Sequence, residues 1–373
     1  MFLKKKNKTI PVQFILPHSG GPNIGGMETV AADLLHRLNP ERFAPALVCF
    51  NGDNAVLTRI DTARVRVTVL EKSPGIDRTL VPRLTKHFLK TRPRIVHTFN
   101  EGALIYAFPA ARAILTRAVV HAEHGRLPVE ERPLLKAVRI RMLRACNHIV
   151  TVSDNLRSLL IDNEGVKSDK VSVIINGVDT GRFDNATDRA ALRAALNLGE
   201  DDWAVGTVGS LTPQKNQEIL VRAAAKVPGI QVRIAGTGPL RDSLETTARD
   251  LGVEDRVQCV GQLSNIPDFL GALDLFALPS LTEATSLALL EAMAARLPAV
   301  VTSVGGNPAV VGEDARLVPS EDVDALAEQL AWSRDHRTEA AALGLRARAR
   351  VEERYSMTAT VRAYETLFER FGG

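Results

Sequence analysis

Cysteine is scarce in this 373-residue chain: only Cys49, Cys146 and Cys259 occur, each within or beside an apolar segment, and none forms a C-x-x-C pair. A disulfide framework or thiolate metal site needs more cysteines at closer spacing, so the three read as buried thiols in a reducing compartment. Aromatic residues make up 5% of the chain, and no nucleic-acid module accompanies them, which argues against a nucleic-acid partner. No apolar run reaches the ~18 residues of a membrane span. The basic start, Met1-Phe2-Leu3-Lys4-Lys5-Lys6-Asn7-Lys8, leads straight into a strand-like run, Val12 to Leu16. A signal peptide's apolar core of ~7–15 residues is missing. These absences predict a cytoplasmic protein.

What is present is an ordinary globular composition, 45% hydrophobic and 24% charged, at a length that suits two domains. The formal net charge of +4 hides an asymmetry: residues 1–180 hold 27 Lys and Arg against 16 Asp and Glu, and the remainder holds 20 against 27. Such a split predicts that the first domain meets something anionic, whether nucleic acid, a membrane surface or a phosphate-bearing acceptor.

Short β-branched runs alternate with amphipathic stretches in the first half. The expected strands are Val12–Leu16, Ala46–Phe50, Val65–Leu70, Arg94–Thr98, Ala118–His121 and His148–Val152. Helices are expected at Glu28–Leu38, Thr79–Lys90, Gly102–Leu115, Arg132–Ala145 and Asn155–Asp162. After a turn at Asn176-Gly177 the alternation resumes. Its strands are Val205–Gly209, Gln231–Ala235, Val257–Cys259, Leu275–Leu278 and Ala299–Thr302, and the chain is helical from Asp322. The pattern predicts two doubly wound α/β halves with parallel sheets and a helical tail, and a ligand beyond the carboxyl ends of the strands.

Three segments carry candidate chemistry. Gly20-Gly21-Pro22-Asn23-Ile24-Gly25-Gly26-Met27-Glu28 lies between the first strand and first helix. There Gly25 and Gly26 let backbone N–H groups approach an anion, although a plain tight turn explains them as well. Val208-Gly209-Ser210-Leu211-Thr212-Pro213-Gln214-Lys215 opens the second half, with Lys215 at a helix entrance where it can neutralise phosphate charge or simply stand in solvent. Glu283 and Glu291, eight positions apart, bracket the helix start Thr285-Ser286-Leu287. Carboxylates there can accept hydrogen bonds from hydroxyl groups, and the helix start offers N–H groups to phosphate.

Taken in order, the motifs resemble glycosyltransferase family four, the retaining group with the GT-B fold, over essentially the whole chain. Ile24-Gly25-Gly26-Met27-Glu28 looks like the family's GGxE loop, and His121-Ala122-Glu123-His124-Gly125 like its catalytic-histidine segment. Asn176-Gly177-Val178-Asp179 resembles the NGVD junction, reinforced by Phe183; Gly236-Thr237-Gly238-Pro239 resembles the GxGP turn, and Glu283 with Glu291 the E-x7-E pair. The run Pro93-Arg94-Ile95-Val96-His97-Thr98 is similar to the family's exopolysaccharide-associated sugar transferases.

The resemblance implies two Rossmann-like domains facing across a cleft: an acceptor-binding domain at 1–180, a nucleotide-sugar domain at 181–355, and a helix at 356–373 packing back towards the first. It implies a hexosyltransferase that takes sugar from a nucleotide diphosphate, UDP first and GDP-mannose second. The acceptor would be a glycan or lipid-linked molecule in polysaccharide synthesis. His124 and Glu283 would be the catalytic residues, with His121 competing for the histidine's place. Gly25, Gly26, Gly209, Ser210, Lys215, Gly238, Pro239, Thr285, Ser286, Leu287 and Glu291 would line the donor. Two departures stand out: Ser210 replaces the usual Arg, and Ala284-Thr285-Ser286 replaces Gly-Phe-Gly between the glutamates.

Metal-dependent transferases use a D-x-D; the one such string here, Asp322-Val323-Asp324, sits at a helix start and reads as a cap. No metal and no cofactor are expected. Between Arg132 and Arg144 apolar and basic residues alternate at near-helical spacing. With Lys4, Lys5, Lys6 and Lys8 this helix could rest on anionic lipid at the inner face of the plasma membrane, or be a solvated helix packed by one face. Rival readings are a nucleotide-sugar epimerase of the same fold and a catalytically silent sugar-nucleotide-binding subunit.

Overall fold

A computed structural model of the chain describes residues 9–17, 25–52, 55–125, 133–184 and 188–373. Its contacts divide into two compact units, Met1–Asn176 with Thr358–Gly373, and Gly177–Met357.

Unit 1 is built on a parallel sheet of β1 (Ile10–Leu16), β2 (Phe43–Cys49), β3 (Arg66–Val69), β4 (Ile95–Phe99), β5 (Ala118–Glu123), β6 (His148–Thr151) and β7 (Val171–Val173). Their order is β3-β2-β1-β4-β5-β6-β7, a doubly wound arrangement whose direction reverses between β1 and β4. The connecting helices are α1 (Gly26–Arg37), α2 (Leu80–Thr91), α3 (Asn100–Ala113), α4 (Pro133–Ala145) and α5 (Asp154–Ser158). Central strands are rich in apolar residues because helices cover both faces, and Ile95, Val96, Val119, Val120 and Ile149 are fully buried or nearly so.

Unit 2 repeats the plan after α6 (Arg189–Ala195). Its strands are β8 (Trp203–Val208), β9 (Ile230–Ala235), β10 (Val257–Gly261), β11 (Leu275–Leu278), β12 (Ala299–Thr302) and β13 (Arg316–Val318), ordered β10-β9-β8-β11-β12-β13. Between them run α7 (Gln217–Lys226), α8 (Arg241–Asp250), α9 (Ile266–Ala272), α10 (Leu287–Ala294) and α11 (Asn307–Val311). They are followed by α12 (Val323–Asp335) and α13 (Arg337–Arg354). Asp322 caps α12, its Oδ1 accepting the Ala325 N–H at 2.9 Å. The order reverses between β8 and β11, where a Rossmann-type sheet opens its ligand crevice.

The last helix, α14 (Met357–Gly372), belongs almost wholly to unit 1. Its apolar residues Val361, Tyr364, Leu367, Phe368 and Phe371 recur at helical spacing. Phe368 packs edge-on against Phe14 at 6.1 Å and lies 5.4 Å from His97, ring centroid to centroid. The N–H of Asn39 donates to Glu365 Oε1 at 2.7 Å, and Arg117 Nε donates to the carbonyl of Phe371 at 2.8 Å. The division between units falls after Asn176 rather than at residue 180 because Val178 is already tied into unit 2. Its N–H donates to the carbonyl of Tyr355 at 2.8 Å, and its carbonyl accepts the Met357 N–H at 3.1 Å.

Candidate active site

In unit 2 the loops that leave β8 and β11, on either side of the reversal, are locked together. After Val208 the chain passes Gly209 and exposed Ser210, then a 3-10 turn over Pro213–Lys215, and Asn216 takes a left-handed φ of 48° at the start of α7. Leu281 N–H donates to the carbonyl of Gln214 at 2.8 Å. Lys215 Nζ reaches Glu283 Oε1 at 2.5 Å, and Ser280 Oγ donates to the same oxygen at 2.7 Å. The lysine's stem crosses Gly209, where an added Cβ would touch Lys215 Cδ at 3.6 Å. Glu283 is thus held by a cation and a hydroxyl, with 7% of its side chain exposed against 26% for Lys215.

Two further glycine turns close on these loops. A Cβ on Gly236 would lie 1.9 Å from the Gly209 carbonyl oxygen, and one on Gly238 would lie 2.4 Å from that of Leu211. The GxGP turn, ending in exposed Pro239, is therefore packed backbone to backbone against the first loop. On the other side, Gly305, with φ +52°, would bring a Cβ within 1.8 Å of the Glu283 carbonyl oxygen, while Gly306 N–H donates to that same oxygen at 3.1 Å. Only glycine permits this approach.

Ser286 caps α10, its Oγ accepting the Leu289 N–H at 3.4 Å, while Thr285 and Leu287 are half-buried at the helix entrance. Glu291 is buried in the second turn of that helix. Gly209, Lys215 and Gly238, expected at the donor, and Glu283, expected to be catalytic, converge on one end of the sheet. Ser280, Gly305 and Gly306 join them unforeseen; Gly305-Gly306 directly before Asn307-Pro308 was a readable turn signal.

In unit 1 Gly25 caps α1 in extended conformation, and a Cβ there would stand 2.6 Å from Glu28 Oε2. Burial raises the Glu28 carboxyl above its ordinary range, opposed by hydrogen bonds from the N–H groups of Glu28 and Gly25. This side chain folds back over its own first turn, as a capping glutamate does, and Gly26 remains exposed. Gly20 to Ile24, Arg132 and Lys4 to Lys8 lie outside the described residues.

The two rival histidines have different surroundings. His121 is fully buried within β5, with Nδ1 2.9 Å from Thr98 Oγ1 and Nε2 3.4 Å from Glu123 Oε2. His124 lies just past the strand end. Its N–H donates to Asn100 Oδ1 at 3.0 Å and its ring stacks on Phe99 at 5.4 Å. Among the described residues neither ring nitrogen of His124 has a hydrogen-bond partner. Burial first, and the neighbouring His121 second, push its pKa down to about 3. Thus His121 is engaged in the sheet, and His124 is the one with ring nitrogens to offer.

On α4, residues 133–138 are all exposed, and Leu134, Leu135 and Val138 are among the most exposed large apolar side chains of the described residues. The helix holds no acidic residue. Arg139, however, is buried: its Nε pairs with Glu101 at 2.9 Å and its Nη2 with Glu164 at 2.9 Å. Among the described residues no helix is long and apolar enough to cross a membrane, and no three His, Cys, Asp or Glu are gathered around a potential metal position.

Two Rossmann-like units, each with candidate side chains just past the carboxyl ends of its strands, define a GT-B protein. Residues 24–182 match the family model described as Glycosyltransferase Family 4, and residues 188–350 that described as Glycosyl transferases group 1. The chain belongs to this family and is a glycosyltransferase. It is 28% identical over 327 residues to the UDP-Gal:alpha-D-GlcNAc-diphosphoundecaprenol alpha-1,3-galactosyltransferase of Escherichia coli, covering 83% of this chain and 84% of that protein. It is 34% identical over 211 residues to the D-inositol 3-phosphate glycosyltransferase of Mycobacterium avium, covering 54% of this chain and 49% of that one. Among solved structures, Anabaena Alr3699/HepE in complex with UDP-glucose shares the fold with a TM-score of 0.84 at 22% identity, over 96% of this chain and 99% of that one. A glycosyltransferase from Rickettsia africae has a TM-score of 0.84 at 17% identity, over 97% and 98% of the two chains.

Proposed function

We propose that this glycosyltransferase is a retaining, metal-independent hexosyltransferase, taking its sugar from a nucleotide diphosphate with a UDP-sugar favoured over GDP-mannose. The observation that carries the reading is the Lys215–Glu283 pair closing the reversal point of unit 2. It sets a cation for the diphosphate beside a carboxylate for the sugar hydroxyls. Glu291 would hold the ribose, and the α10 entrance at Thr285, Ser286 and Leu287 would offer N–H groups to phosphate, with Gly26 assisting. His124 would meet the transferred sugar. The bond from the anomeric carbon to the phosphate oxygen breaks with its electron pair leaving on the diphosphate. An acceptor hydroxyl attacks from the same face and passes its proton to the departing oxygen. Lys215 and the helix N-termini stabilise that charge, which is the work a metal does elsewhere.

The E. coli relative's name includes a UDP-sugar and a diphosphoundecaprenol-linked acceptor, and HepE was solved with UDP-glucose; both favour a UDP-sugar, and the former favours a lipid-linked acceptor for polysaccharide. The exposed Leu134, Leu135 and Val138 beside Lys136 and Arg141 suit an anionic inner-membrane surface, where a cytoplasmic enzyme would meet that acceptor. A thermal-shift screen of nucleotide diphosphates with and without EDTA, on wild type and Glu291→Ala, tests the reading. A ligand at ~100 times its dissociation constant adds about 2.7 kcal/mol. Stabilisation by UDP that survives EDTA and shrinks in the variant is expected; no shift with any nucleotide removes the donor site.

A further inference from the structure

We infer that Asn100 is a positioning residue that fixes His124, acting through the backbone of the loop that carries it. The inference rests on the proposed role of His124 and explains how this chain would hold that side chain in place.

β4 and β5 are neighbouring parallel strands, and their ladder ends with Phe99 opposite Ala122. At Asn100 the chain leaves the sheet and enters α3, so the N–H of His124 has no strand carbonyl to meet. A backbone donor at such a place needs a partner. The side chain of Asn100 supplies it, with Oδ1 3.0 Å from the His124 nitrogen. The turn depends on an unusual backbone: Asn100 has φ +54°, a left-handed value that Asn tolerates better than most residues with a side chain.

The preceding residue completes the grip, because Phe99 stacks under the His124 ring at 5.4 Å and 28° between planes. Consecutive residues of one strand end thus hold the backbone and the ring of one histidine. The following residue anchors the turn from the far side: Glu101 pairs with Arg139 Nε at 2.9 Å, and Arg139 in turn with Glu164 at 2.9 and 3.1 Å. Phe99, Asn100, Glu101 and Glu164 did not stand out in the sequence as chemistry-bearing.

The test uses the full chain with Asn100→Gly, which keeps the left-handed backbone and removes the acceptor, and Asn100→Asp, which keeps both. Circular dichroism and Tm establish that each variant is folded. With the best donor and acceptor pair, Asn100→Gly is expected to lose about tenfold to a hundredfold in kcat. Donor KM should stay within about twofold, and Asn100→Asp should recover most of the rate. A second readout follows the His124 ring by its nuclear magnetic resonance titration, with His97 and His121 assigned beside it. Burial and His121 hold His124 far below an ordinary histidine, so a loosened loop moves its titration up towards ~6.5. A folded Asn100→Gly enzyme with wild-type kcat overturns the inference. If His124→Ala proves fully active, the role given to His124 falls instead. The titration then decides alone: an unmoved His124 in Asn100→Gly overturns the inference, and a raised one supports it.

Discussion

Lys215 Nζ and Glu283 Oε1 stand 2.5 Å apart, so one ion pair joins the loops that leave β8 and β11. Both side chains are largely withdrawn from water, and among the described residues Ser280 Oγ is the carboxylate's other hydrogen-bond partner. Replacing Lys215 by Ala leaves Glu283 short of its cation in a site where screening is weak. We expect a stability loss of about 1–3 kcal/mol by denaturant unfolding. Affinity for nucleoside diphosphate in calorimetric titration should fall by about tenfold or more. A variant that unfolds like wild type would show that the pair contributes nothing measurable.

Gly305 presses against the backbone of Glu283. Gly305→Ala combines a left-handed φ of +52° with a Cβ placed 1.8 Å from a carbonyl oxygen. The expected cost is about 3 kcal/mol or more, together with loss of transfer activity, because the loop bearing Glu283 must move. Gly75→Ala is the control: φ is +71° there but nothing lies within 4 Å, so only the backbone term of about 1–2 kcal/mol is expected. Equal Tm values for the two variants would contradict the contact.

His97 is fully buried among Phe14, Phe99, Tyr364 and Phe368, and burial lowers its pKa to about 3. The unfolded chain takes up a proton there near ~6.5, so between pH 6.5 and 3 the unfolded state binds more protons. Stability contributed by this neutral ring is fully present above pH 6.5 and is lost as pH falls. Each unit costs up to about 1.4 kcal/mol per such histidine. His97→Phe should therefore flatten the decline of unfolding free energy between pH 6 and 4. An unchanged slope would mean that His97 is protonated in the folded chain.

Phe368 has no exposed surface and closes the sheet of unit 1 over Phe14 and Phe43. Phe368→Ala is expected to cost about 3–5 kcal/mol, lowering the unfolding midpoint of unit 1. Hydrogen exchange in β1 and β2 reads the effect locally, and full protection there would place the closing contact elsewhere.

Much of the fold was legible because both sheets are parallel and buried, so that strands such as Leu275–Leu278 read as continuous apolar runs between helical periods. β7 and β13 escaped because each has three residues and sits at a sheet edge, too short for a period to show. In the candidate site Lys215 and Glu283 were each singled out in the sequence, but their contact with each other was not. Sixty-eight residues separate them, and only the pairing of β8 with β11 brings their loops together. Arg139 was read as one of a row of basic side chains on a helix surface. Its burial between Glu101 and Glu164 depends on where α3 and α4 pack, which spacing within one helix cannot express.

The return of α14 to unit 1 also sets an order for synthesis. Residues 358–373 leave the ribosome only after all of unit 2, residues 177–357, has been made. At roughly 5–20 residues per second that interval lasts about 10–35 seconds. Throughout it the apolar face at Phe14 and Phe43 waits without Phe368, while unit 2 is contiguous and can close. The half begun first is therefore finished last, and its open sheet is what a nascent-chain chaperone would meet.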